Sequence, residues 1–157
     1  MLQFLSAMRF VTALAPVADA FSGTVYPLAV KLANYARLAF VVLKGVGTTG
    51  TSTITVLASD DASHTNSTAV PFSYRRISAD GKTTIGAITT VDSAGFTTTA
   101  GSGDFYIIEV DVKALAASGY AYAQLKMVEV VDSPVLGSVL AIAGDARFAD
   151  SDVDIVS

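Results

Sequence analysis

Two strand-forming stretches and the glycine loop between them constrain this chain most: Ala36 to Lys44, then Gly45-Val46-Gly47-Thr48-Thr49-Gly50, then Thr51 to Ser59. In the first, Leu38, Phe40 and Val42 point one way, and Ala39, Val41 and Leu43 the other. A strand that is apolar on both faces belongs inside a sheet rather than at its edge. The second stretch sets Ile54, Val56 and Ala58 against Thr51, Thr53 and Thr55. Such alternation marks a strand with one face in a core and the other in water. Read together, the two predict a hairpin at the heart of an all-β domain.

The loop spells a formal G-x-G-x-x-G at Gly45, Gly47 and Gly50. A dinucleotide site would need a helix starting at the last glycine, so that its N-terminus could meet the pyrophosphate. Here the β-branched run Thr51-Ser52-Thr53-Ile54-Thr55-Val56 follows, which is strand chemistry. No Lys follows the glycines, so a phosphate-binding loop is not expected either, and no cofactor is assigned.

The 157 residues suffice for one domain with a proper core. Hydrophobic residues make up 52% and charged residues only 15%, with a mean hydropathy of +0.54. The charged share falls below the roughly 25% usual in globular chains. An assembly subunit has this composition, because its interfaces replace surface that charge would otherwise solvate. The net charge of −4 argues against nucleic acid as a partner, since phosphate binding needs basic density. With no cysteine, disulfides, thiolate catalysis and cysteine-zinc sites are excluded. No run is long and apolar enough to span a bilayer. Met1 to Ala20 is apolar and ends in Ala18-Asp19-Ala20. It has no basic start, Arg9 interrupts it and Pro16 falls late, so a cleaved signal is not expected.

Residues 1–20 read as an N-terminal arm, with Phe4, Leu5, Met8, Val11 and Ala15 at helical spacing, as a short helix or an extended segment. A β-sandwich domain is expected over 21–143 and an acidic C-terminal tail over 144–157. Within the domain, Thr24 to Leu32 is a strand broken by Pro27, and Val70 to Ile77 alternates, with Phe72 and Tyr74 inward and Ser73 and Arg75 outward. Arg75 and Arg76 therefore point to opposite faces and cannot clamp one anion. Asp80-Gly81 is a turn. Thr84 to Val91 is a moderate strand, and 93–103 a long loop or weak edge strand. Phe105 to Val112 is a strong strand with Tyr106, Ile108, Val110 and Val112 inward. Lys113 to Gly119 predicts one or two helical turns capped by Gly119. Tyr120 to Val131 is a long strand whose polar phase shifts between Lys126 and Glu129, as a bulge would cause. Val135 to Ala143, apolar on both faces, is central or covered by a partner. The expected core includes Phe40, Val42, Ile54, Val56, Phe72, Ile108, Val110, Leu125 and Leu140.

No constellation of catalytic or ligating residues emerges. His64, the only histidine, lies in a polar loop near Asp60 and Asp61, and a metal site needs about three or four protein ligands. Nucleophilic triads need a histidine oriented by an acid, and paired-carboxylate catalysis needs two acids across a cleft rather than adjacent in sequence. Asn66-Ser67-Thr68 matches a glycosylation sequon without a secretory context. Asp150, Asp152 and Asp154 begin a calcium-loop pattern, but no Glu follows to complete it. The chain is therefore expected to be no enzyme, with no catalytic, cofactor-binding or metal site residues.

Eight or nine strands with one short helix predict an antiparallel β-sandwich, jelly-roll or immunoglobulin-like. Two stretches then form a set: Phe10-Val11-Thr12-Ala13-Leu14-Ala15-Pro16-Val17-Ala18-Asp19-Ala20-Phe21, running into Lys44-Gly45-Val46-Gly47-Thr48-Thr49-Gly50, and Glu109-Val110-Asp111-Val112 through Ala116-Ala117-Ser118-Gly119-Tyr120 to Leu125-Lys126-Met127. Across roughly residues 10–145 this set resembles the head-decoration, or capsid cement, proteins of tailed bacteriophages. The resemblance implies a virion protein on the capsid outer surface, bound to the major capsid protein and assembled with its own copies as a homotrimer. It carries no active-site residue. The alternatives are a carbohydrate-binding β-sandwich module and another virion part, such as a tail or connector protein.

Overall fold

Alternating side chains set the strands, and turn residues end them. The computed structural model describes residues 7–33, 35–45, 47, 49–78, 85–101 and 103–146. In chain order the strands are β1 (Met8–Val17), β2 (Thr24–Val25), β3 (Val30–Lys31), β4 (Tyr35–Lys44), β5 (Thr51–Ser59), β6 (Ser67–Val70), β7 (Phe72–Ser78), β8 (Thr89–Val91), β9 (Phe96–Thr97) and β10 (Asp104–Val110). A helix α1 (Val112–Ala117) follows, then β11 (Tyr122–Val131) and β12 (Gly137–Ala146).

Every pairing is antiparallel, and the strands form two sheets. Sheet A runs β1-β12-β4-β10-β7-β8, and sheet B runs β2-β11-β5-β6 with β3 beside β11 and β9 beside β5. The described residues thus form an all-β sandwich, with the short helix Val112–Ala117 among them. Its core lies between the sheets: Leu38, Phe40 and Val42 of β4, Tyr106 and Ile108 of β10, and Val139 and Ala141 of β12 face Ile54 and Val56 of β5 and Leu125 and Met127 of β11. Phe96 stacks on Tyr74 with ring centroids 3.8 Å apart and meets Tyr106 at 5.2 Å, filling the space under β7.

The central pair is not a hairpin. β4 lies in sheet A between β12 and β10, while β5 lies in sheet B between β11 and β6. The glycine loop is an arch from one sheet to the other, pressed along residues 133–136. Gly45 N–H donates to Leu136 O at 2.7 Å, and a Cβ on Gly50 would run into Ser133 O. The glycines answer a close backbone approach, with no tight turn between paired strands.

Several boundaries also shift. Met8–Val17, expected in an arm with helical spacing, is an edge strand paired with β12, with Ala13 buried. Pro71 divides the stretch from Val70 to Ile77, so β6 stays in sheet B while β7 crosses to sheet A. Of the strand expected over Thr84–Val91, β8 begins at Thr89, preceded by an isolated bridge between Ile85 and Ile77. Leu140 leaves the core list: Val139 and Ala141 take the inward positions of β12, and Leu140 faces outward, half-buried. Val112 is buried but opens the helix, where Asp111 accepts a hydrogen bond from Ala114 N–H at 3.0 Å. Gly119 follows the Ser118 C-cap at φ +87°, as the capping pattern predicts. The bulge in β11 falls between Glu129 and Val131. Residues 144–146 of the expected tail end β12. The Asp80-Gly81 turn, residues 1–6 of the arm and the Asp150-Asp152-Asp154 pattern lie outside the described residues.

Candidate interaction face

The two outer faces of the sandwich differ in chemistry. On sheet B, Thr53, Thr55, Thr97 and Lys126 point outward, and the Thr53 and Thr97 hydroxyls lie 3.0 Å apart. Part of that face is covered by the chain itself, where Gln124 Nε2 donates to Pro27 O at 2.6 Å and Leu57 is buried, while Tyr26, Leu28, Val130 and Val131 stay exposed on this side.

Sheet A has no such cover among the described residues. Its register lines up outward side chains in three rows across the strands. Phe10, Ile142, Ala39, Glu109 and Ser73 form the first, Thr12, Leu140, Val41, Ile107 and Arg75 the second, and Ser138, Leu43, Phe105 and Ile77 the third. Most of these side chains are apolar, although they point away from the core. Phe10 is 42% exposed, Leu43 and Phe105 38% each, and Leu136 and Ile88 at the margins 57% and 65%. Gly137 and Ser138 offer little bulk between Pro16 on one side and Leu43 and Phe105 on the other, leaving a shallow groove of about 270 Å³. Single exposed apolar residues are ordinary, but a contiguous apolar patch marks an interaction surface.

A second feature is a buried ionic cluster at one end of the same sheet. Lys44 and Asp104 are cross-strand partners, and both are buried. Arg76 Nε lies 3.1 Å from Asp104 Oδ1. The Tyr106 hydroxyl donates to Asp104 Oδ2 at 3.4 Å and accepts from Thr99 N–H at 2.8 Å. Burial lowers the Lys44 ammonium pKa below its ordinary value, against the attraction of Asp104, and burial pushes the Tyr106 phenol above its ordinary value. One carboxylate held by cations and a phenol closes the end of the core. Sequence reasoning missed this cluster, although Lys44, Arg76 and Asp104 continue the inward parity of Phe40, Tyr74 and Ile108.

The other residues singled out do not converge on chemistry. His64 sits at φ +52° and stacks on Tyr26 at 4.2 Å, while Asp61 accepts hydrogen bonds from Ser63 N–H and Oγ, which lower its pKa. Among the described residues, no group of three His, Cys, Asp or Glu side chains could hold a metal ion. Arg75 and Arg76 face opposite sides, as alternation predicts. A hollow of about 410 Å³ at the far end of sheet A holds Arg37, Glu109 and Asp111. There Arg37 is paired with Asp145 at 2.9 Å, and Asp111 caps the helix.

No family model matches the sequence, and no curated protein matches it. Among solved structures, the crystal structure of SPBc2 prophage-derived protein YomS is similar at a TM-score of 0.47 and 12% identity, over 88% of this chain and 93% of that one. So slight a likeness carries no assignment, and the sandwich is established by its own strand pairing.

Proposed function

We propose that this chain is a structural virion protein, not an enzyme, that binds the outer surface of a tailed-phage capsid and stabilises it as a decoration or cement protein. It works as a homotrimer on the major capsid protein and needs no metal or cofactor. One observation carries the reading: the outer face of sheet A carries apolar side chains in three neighbouring rows. An assembly protein needs such a face, and the low share of charge fits it. The sequence resemblance supplies the capsid as the place of assembly. A trimer spanning several shell subunits binds with avidity, so modest single contacts suffice.

Electron microscopy of particles of the phage that encodes the chain tests this. The expected result is density for the sandwich at regular positions outside the shell, three copies around an axis. Absence from the particle, or a place in the tail or connector, would overturn it. A carbohydrate-binding role would rest on Tyr26, an exposed ring stacked on His64. Glycan binding that disappears in Tyr26→Ala would favour that role over decoration.

A further inference from the structure

We draw no further inference here: the strongest candidate, the apolar patch on the outer face of sheet A around the groove lined by Leu43, Phe105 and Leu136, carries none, because nothing in the structure shows what covers it.

Discussion

Phe40 is fully buried at the centre of β4, where it meets core side chains of both sheets. Replacing it by alanine should cost about 3–5 kcal/mol, read from denaturant unfolding, because a phenyl-sized cavity remains. A loss under about 1 kcal/mol would contradict its central place. Removing the Asp104 charge takes the counter-ion from Arg76. Asp104→Asn should destabilise by about 3 kcal/mol, the low end for breaking a buried pair, since Arg76 keeps some access to water. Tyr106 makes a pH-dependent prediction. Its folded pKa is raised, so the folded state holds the phenolic proton after the unfolded chain begins to lose it. The stability it adds is complete below pH 10 and is lost as pH rises through the folded value. Lys44 works the other way: its lowered pKa makes stability rise with pH up to about 10.5, its ordinary value. Thermal melts across this range should show Tyr106→Phe losing less stability above pH 10 than the wild type. An identical pH slope in the two proteins would contradict the assignment.

At the scale of elements, the glycine arch and β1 make the sharpest claims. Gly50→Ala places a Cβ against Ser133 O, which backbone on both sides must move to relieve. It should cost about 1–3 kcal/mol, as overpacking does. A hairpin glycine with room around it would tolerate the change, so the melt distinguishes arch from hairpin. Deleting residues 1–20 removes β1 from sheet A, together with the buried Ala13 and Ala20, and bares the edge of β12. The truncated protein should therefore melt lower and aggregate through that edge. An unchanged cooperative melt would mean that the strand is dispensable to the sandwich. The helix is a smaller matter: Asp111→Ala should cost about 1 kcal/mol through its lost cap.

For the molecule as a whole, the apolar outer face of sheet A matters more than any cleft. The sandwich should not depend on bound metal. Dialysis against a chelator should leave the melting temperature unchanged, and a fall restored by calcium would assign the Asp150-Asp152-Asp154 pattern a site. What the composition signalled as interface is concentrated on sheet A, where apolar side chains point outward from three neighbouring strands, β12, β4 and β10.

Alternation along each strand was enough to determine the all-β class, the inward positions of Phe40, Ile54, Phe72 and Ile108, the opposed Arg75 and Arg76, and the capped helix turn. These features depend on the two-residue period of a strand and on local capping, both of which a sequence states directly. The same period assigned a face to Leu43 and Val41 without saying whether that face is covered, so the apolar outer face became visible only once the sheet was assembled. Partner choice is likewise a tertiary property. β4 finds β12 and β10, far along the chain, and β5 finds β11, because burying both inner faces outweighs pairing two neighbours across a short loop. For this reason the central hairpin became an arch, Met8–Val17 became a strand, and Lys44 and Asp104 met as a buried pair.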